Sequence, residues 1–147
     1  MIQDEARDDW GPITVPGLKV FLVEDSQLLR TRLRAMLSLI PGLQVIAEAE
    51  TEAEALAGIL AKRPDVVVLD LYLSSGNGLE VLRLVKQTHP EIIVIILTNH
   101  DNRQYRERCM ALNADYFFDK TKHIEEFLHV LKKLSHAAGE STLEATP

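Results

Sequence analysis

The stretch VVVLDLYLSSGNGLEVLRLVKQ, residues 66–87, decides the fold of this 147-residue chain. Its first four residues, Val66–Leu69, are all apolar and too few for a buried helix, which is typical of a central parallel strand. The strand ends at Asp70, and a loop rich in serine and glycine leads to helical apolar spacing at 79–87. A buried strand followed by a helix predicts one unit of a parallel α/β sheet.

The alternation of strand and helix repeats on both sides of this stretch. The other predicted strands are short and largely apolar, and they cover residues 19–23, 43–49, 92–97 and 116–119. Helix N-caps are predicted at Ser26, Thr51 and Asp101, and the last helix is predicted from Ile124 to His136. Five strands that alternate with five helices predict a doubly wound parallel sheet with helices on both faces. The second strand is more polar than the others, so we expect it at an edge.

Composition and charge are those of an ordinary globular protein, with 46% apolar and 26% charged residues. The net charge of -6 is concentrated at the ends, because residues 1–17 hold four acids against one arginine and residues 137–147 hold two acids and no base. We therefore predict an acidic tail at 1–17, one domain at 18–136 and a flexible tail at 137–147. One cysteine, no signal-peptide pattern and no apolar run of about 18 residues predict a cytoplasmic protein that does not span a membrane.

Polar side chains follow four of the apolar strands directly. Strand one is followed by Glu24 and Asp25, strand three by Asp70, strand four by Thr98 and strand five by Lys120. Ligands bind outside the carboxyl ends of the strands in open α/β sheets, so we expect these side chains to meet at one edge. Three carboxylates against one ammonium leave negative charge that a divalent cation would neutralise. Hard oxygen ligands with open positions favour Mg²⁺ as that cation.

Four motifs stand at these strand ends, in the order VEDS at 23–26, LDLYLSSGNGLEVL at 69–82, LTN at 97–99 and FFDK at 117–120. Together they resemble the response-regulator receiver domain of two-component signalling, and the resemblance covers residues 18–136. It implies a flavodoxin-like sheet with strand order 2-1-3-4-5. It also implies a phosphorylation switch, in which a sensor histidine kinase or a phosphotransfer protein donates a phosphoryl group to the chain. The surface that responds would be formed by helix four, strand five and helix five.

The resemblance gives the acidic residues distinct roles. It implies that Asp70 accepts the phosphoryl group, that Asp25 binds Mg²⁺ directly and that Glu24 binds it through water. Asp70 itself and the backbone carbonyl of Tyr72 would complete the protein ligands of the metal.

The resemblance also assigns the residues of strands four and five. Lys120 would pair with a phosphoryl oxygen, and Thr98 would hydrogen-bond the phosphoryl group in the active state. Phe117 stands three residues before the lysine, where the family carries its switching aromatic residue.

The sequence departs from the usual family pattern beside the site. Thr121 replaces the proline that often follows the lysine, and Asn113 replaces the glycine before strand five, although asparagine also tolerates the left-handed conformation. Asn99 stands where a small residue is usual. By the resemblance, side chains two positions after the aspartate and two after the threonine flank the phosphoryl site, and here they are Tyr72 and His100. We expect Tyr72, Asn99 and His100 to restrict access to the acceptor.

Other functional classes fit the residues less well. A Mg²⁺-dependent enzyme of the haloacid-dehalogenase or toprim type would need a second acid two residues after the first, but this chain has Asp70-Leu71-Tyr72. Glu24 and Asp25 would repel the phosphate of a flavin. A pseudo-receiver that only binds should have lost a key residue, and none is lost. We therefore expect no enzymatic activity beyond self-phosphorylation and autodephosphorylation.

The output of the switch is less defined by the sequence. A stand-alone receiver is favoured over a fragment of a longer regulator, because the composition of the C-terminal tail gives no start of a DNA-binding domain. No basic cluster predicts direct binding of nucleic acid. The expected partners are the phosphodonor protein and an unidentified downstream protein, and a homodimer is a further option.

Overall fold

Each short apolar run of the sequence forms a strand, and each strand is followed by a helix. The structure, a computed structural model, describes residues 17–99 and 102–144, with side chains up to residue 139. The strands are β1 Leu18–Val23, β2 Leu43–Ala49, β3 Val66–Leu69, β4 Ile93–Thr98 and β5 Tyr116–Asp119. The helices are α1 Gln27–Leu37, α2 Glu52–Lys62, α3 Gly78–Thr88, α4 Arg103–Ala111 and α5 Ile124–Glu144.

The five strands form one parallel sheet in the order β2-β1-β3-β4-β5. The predicted doubly wound fold and its strand order are therefore confirmed. β2 lies at an edge and is only partly buried, as its more polar sequence predicts. Across residues 17–99 and 102–144, no helix combines the length and the apolar character needed to cross a bilayer.

Successive strand residues point to opposite faces of the sheet, so the strands supply two hydrophobic cores. One core lies under α1 and α5, and its strand residues include Val20, Leu22, Val66, Val68, Ile95 and Leu97. The other core lies under α2, α3 and α4, and its strand residues include Phe21, Val23, Val67, Leu69, Val94 and Ile96. Burial on both faces explains why the central strands are continuously apolar in sequence.

Two predictions about helix ends are wrong. The N-cap of α4 is Asn102, whose side chain accepts the N–H of Tyr105 at 2.9 Å, and not its neighbour Asp101, which lies outside the described residues. Both residue types cap helices well, so the sequence alone does not separate them. The last helix, predicted to end at His136, continues as α5 to Glu144, because alanine favours the helix and Ala138 packs against the core under α1 and α5. The predicted flexibility of the tail at 137–147 stays a prediction. The predicted N-terminal tail lies outside the described residues apart from Gly17.

The loop after β3 folds back onto the end of its own strand through Gly78. The Gly78 N–H donates to the carbonyl of Leu71 at 2.9 Å. A Cβ atom at Gly78 would lie 2.2 Å from the carbonyl oxygen of Asp70 and 2.7 Å from the Cα of Leu71. The close return of the loop therefore requires glycine, and it fixes the backbone next to Asp70.

We predict that Gly78→Ala lowers the free energy of unfolding by about 1–3 kcal/mol, because the added methyl group meets backbone that cannot move aside. Urea denaturation followed by circular dichroism measures the change. Gly139→Ala is the matched control, since a Cβ there has no atom within 4 Å, and it should leave stability unchanged or raise it by up to about 1 kcal/mol. Equal stability of the two variants would contradict the prediction.

Candidate functional site

The carboxyl ends of the strands bring together side chains from three of them. Glu24 follows β1, Asp70 follows β3 and Lys120 follows β5. Hydrogen bonds of the sheet continue one residue past the strands, because the Asp70 N–H donates to the carbonyl of Val23 and the Lys120 N–H donates to that of Thr98, both at 3.0 Å. The backbone of Asp70 and of Lys120 is thus fixed by the sheet itself.

The ammonium group of Lys120 lies between two carboxylates. Its Nζ is 2.5 Å from Oε1 of Glu24 and 2.9 Å from Oδ2 of Asp70. Glu24 is 3% exposed and Asp70 is 7% exposed, so this bridge is largely removed from water. Burial alone would lower the pKa of Lys120, but the hydrogen bonds to Glu24 and Asp70 outweigh it and raise that pKa above its usual value. Lys120 therefore stays protonated.

Glu24 experiences the opposing effects of burial and pairing. Burial raises the pKa of its carboxyl group, while hydrogen bonds from Lys120 and from the Ser26 N–H, at 3.0 Å, act in the opposite direction. The net direction is upward, and the neighbouring negative charge of Asp70 adds to it. The site therefore favours any further positive charge placed among its carboxylates.

The geometry of the carboxylates fits a divalent cation. One oxygen from each of Glu24, Asp25 and Asp70 lies within 4.8 Å of the others, and Asp25 is exposed to solvent while the other two are buried. Three carboxylates are the hard oxygen donors that Mg²⁺ prefers. The backbone of Tyr72 is also close, because its N–H lies 3.5 Å from Oδ1 of Asp70. The role of its carbonyl as a ligand stays a prediction.

Arg30 is a second buried cation at this edge, and it was not predicted from the sequence. Its guanidinium donates to the backbone carbonyl of Glu24 at 2.6 Å, to Glu48 at 3.2 Å and to Glu50 at 3.1 Å. These bonds tie the turn after β1 to the end of β2. The sequence feature that could have indicated its burial is its position on the apolar face of α1, three residues before Leu33.

Thr98 and Phe117 are both buried, and their switching roles stay predictions. Thr98 is fully buried at the end of β4 and is aligned with Asp119 of β5. Phe117 is buried on the α4 side of the sheet, and the guanidinium of Arg106 lies 4.5 Å from the centre of its ring. Any movement of Phe117 would therefore disturb a side chain of α4.

The three residues that we expect to restrict access to Asp70 differ in what the structure shows of them. The ring of Tyr72 is half-exposed and meets Tyr105 of α4 edge to face, with ring centres 5.9 Å apart. Their hydroxyl groups form a short hydrogen bond, which raises the pKa of Tyr72. Asn99 is exposed, and His100 lies outside the described residues. The contact between Tyr72 and Tyr105 was not predicted from the sequence.

Comparison with known proteins places the chain in a family. The family model described as the response regulator receiver domain matches residues 20–132. The chain is 35% identical over 127 residues to the DNA-binding transcriptional activator DevR/DosR of Mycobacterium tuberculosis, covering 86% of this chain and 58% of that protein. It is 30% identical over 115 residues to the response regulator GacA of Pseudomonas syringae pv. syringae, covering 78% and 54%. The crystal structure of a LuxR-family DNA-binding response regulator from Staphylococcus aureus aligns with a TM-score of 0.74 at 27% identity, covering 80% of this chain and 98% of that chain.

The chain spans little more than half the length of the two curated relatives. The match to the family model nevertheless runs from β1 into α5 and takes in all five strands. The strand order and the acidic edge of the sheet agree with that match. This chain belongs to the response regulator receiver domain family of two-component signalling.

Proposed function

We propose that this receiver accepts a phosphoryl group on Asp70 in the presence of Mg²⁺ and thereby changes a surface formed by α4, β5 and α5. The donor would be the phosphohistidine of a sensor histidine kinase or of a phosphotransfer protein. The observation that carries the proposal is the buried carboxylate of Asp70, held by Lys120 within a cluster of three carboxylates.

The two oxygens of Asp70 are held differently. Oδ2 is bound by the ammonium of Lys120 at 2.9 Å, whereas Oδ1 has a long contact of 3.5 Å with the Tyr72 N–H. Oδ1 is therefore the oxygen better placed to attack phosphorus. As the new P–O bond forms, the P–N bond of the phosphohistidine breaks, and its electron pair returns to the imidazole nitrogen, which takes up a proton.

Charge is the main obstacle to this reaction, because an anionic donor must approach three carboxylates. Phosphoryl transfer depends mainly on positioning and on neutralisation of charge. Lys120 supplies one positive charge and, after transfer, can pair with a phosphoryl oxygen. Mg²⁺ held by Glu24, Asp25 and Asp70 would shield the nucleophile from the donor and stabilise the transferred oxygens.

The proposed response passes to α4 through the sheet. A phosphoryl group on Asp70 would draw the hydroxyl of Thr98 inward, and Phe117 would move into the space that Thr98 leaves. Only Cys109 is buried among the residues of α4, so this helix has few contacts to hold it in one position. The surface of α4, β5 and α5 is therefore the proposed contact for a downstream protein.

How this receiver passes its signal to a downstream partner remains a proposal. DevR/DosR is by name a DNA-binding activator, whereas for this receiver we propose output through protein contacts and no direct contact with nucleic acid. The stand-alone arrangement and the homodimer stay predictions. A Mg²⁺-dependent phosphohydrolase is disfavoured, because Leu71 and Tyr72 follow Asp70 where such enzymes need an acid.

We predict that acetyl phosphate with Mg²⁺ adds a single phosphoryl group to the chain, at Asp70, as measured by intact mass. Asp70→Asn should abolish the added mass, because it removes the nucleophile and keeps the shape. Asp65→Asn is the matched control at the opposite end of β3 and should be labelled like the wild type. Undiminished labelling of Asp70→Asn would refute the assignment.

We predict that Asp25→Asn weakens Mg²⁺ binding by about ten-fold or more, because it removes a direct carboxylate ligand. Titration calorimetry on the unphosphorylated protein measures the affinity. Glu91→Gln also removes one negative charge, but it lies just before β4, at the amino ends of the strands. This variant should bind Mg²⁺ like the wild type. An unchanged affinity in Asp25→Asn would exclude Asp25 as a ligand.

We predict that Tyr72→Asn shortens the lifetime of phospho-Asp70 several-fold, since hydrolysis needs water in line behind phosphorus and we expect the ring to restrict the approach of that water. Decay of the phosphorylated mass over time gives the lifetime. Tyr105→Phe keeps both rings and removes one hydroxyl, so it should decay at nearly the wild-type rate. If Tyr72→Asn decays no faster than the wild type, the ring does not limit access.

A further inference from the structure

The turn that follows β5 is folded around the carboxylate of Asp119. Oδ1 of Asp119 accepts the N–H of Thr121 at 2.8 Å, the hydroxyl of Thr121 at 2.7 Å and the N–H of Lys122 at 3.0 Å. Asp119 is 5% exposed, so these bonds are made in a largely dry environment. They lower the pKa of Asp119 to about 2, with the Thr121 hydroxyl as the largest cause. The carboxylate is therefore ionised at neutral pH.

The backbone of Asp119 closes the same turn from the other side. Its carbonyl accepts the N–H of His123 at 3.0 Å, and its N–H donates to Nδ1 of His123 at 3.3 Å. Side chain and backbone of Asp119 thus together bind three of the four residues that follow it, namely Thr121, Lys122 and His123. The turn is held by these bonds up to the start of α5 at Ile124.

Lys120 lies inside this turn. Its N–H is fixed on β4 by the carbonyl of Thr98, and the turn of Asp119 fixes the chain immediately after it. Its flexible side chain must then reach from β5 to Glu24 and Asp70, which follow β1 and β3. The lysine side chain is flexible, but it must extend across the end of β4, so the position and direction of the backbone at Lys120 limit how often its ammonium reaches Asp70.

The sequence supplies this turn in an unusual way. Thr121 stands where the family often has proline, which has no N–H to donate and no hydroxyl. Both groups of Thr121 are used here, and both bind Asp119. The hydrogen bonds of Asp119 thus take over the restriction of the backbone that a proline ring would impose.

We propose that Asp119 is a positioning residue for Lys120, because its carboxylate sets the turn that directs the ammonium towards Asp70. The inference deepens the proposed function and rests on it for its relevance to phosphorylation. The geometry of Lys120 can, however, be tested without any phosphoryl group, so the two proposals can fail separately.

The test measures how fast Lys120 is acetylated by a small amine-reactive ester, with peptide mass spectrometry as the readout. In the wild type, Lys120 is held by two carboxylates with its side chain 12% exposed, and it should react slowly. Lys86 is the internal control, since its side chain is 8% exposed and its ammonium is held elsewhere by Asp115 and two backbone carbonyls. General loosening of the fold would expose both lysines, whereas loss of the turn exposes Lys120 alone.

Three variants separate the contributions. Asp119→Asn removes the charge, and Thr121→Val removes the hydroxyl while keeping the size of the side chain. Both should raise acetylation of Lys120 several-fold and leave Lys86 unchanged. Thr121→Ser retains the hydroxyl and should protect Lys120 like the wild type. Unchanged reactivity of Lys120 in Asp119→Asn and Thr121→Val, or an equal rise at Lys86, would overturn the proposal.

The same variants then connect the turn to phosphorylation. Asp119→Asn and Thr121→Val should be labelled by acetyl phosphate several-fold more slowly than the wild type, with an unchanged affinity for Mg²⁺. Exposed Lys120 together with wild-type labelling would refute the link to the reaction. Absence of labelling in the wild type would instead refute the proposed function and leave the acetylation result standing.

Discussion

The bridge from Lys120 to Glu24 and Asp70 is the interaction on which the arrangement of the site depends. Glu24 and Asp70 follow neighbouring strands, but Lys120 follows β5, which is separated from β3 by β4. Two strand spacings amount to about 10 Å, so only a long side chain can cross the end of β4. Breaking a buried ion pair by removing one partner costs about 3–5 kcal/mol. The lysine therefore stabilises the carboxylates of β1 and β3 in one arrangement.

The same edge carries more negative charge than one lysine can balance. Parallel pairing of β1 with β3 brings the carboxylates after these strands together, because neighbouring strands lie only about 4.8 Å apart. Arg30 compensates on the side of β2, where it binds Glu48 and Glu50 and holds the carbonyl of Glu24. Asp25 remains on the exposed side. The charge left over thus faces solvent, which is where a metal ion and an anionic phosphodonor would arrive.

The sequence predicts the strands within one residue, because short apolar runs ended by polar residues leave little choice of boundary. The acidic edge follows from topology, since parallel strands all end on the same side. The interactions that it did not predict depend on contacts between distant segments. Arg30 is recognisable only once β2 lies beside α1, and Tyr105 only once α4 lies beside the loop of Tyr72. The turn of Asp119 is local, but a single aspartate before a lysine gives no sign that its carboxylate is buried.

Two contacts connect α4 with the sheet and with the loop that follows Asp70. One passes through the sheet, where Phe117 lies beneath the guanidinium of Arg106, so a moving ring must displace that cation. The other passes over the sheet, where Tyr72, two residues after Asp70, is hydrogen-bonded to Tyr105. Arg106 and Tyr105 are adjacent in α4, so both connections act on the same turn of the helix. A change at Asp70 that moved either Phe117 or Tyr72 would therefore strain one short segment. Because that segment has little buried surface of its own, the proposed repacking of α4 would break few buried contacts.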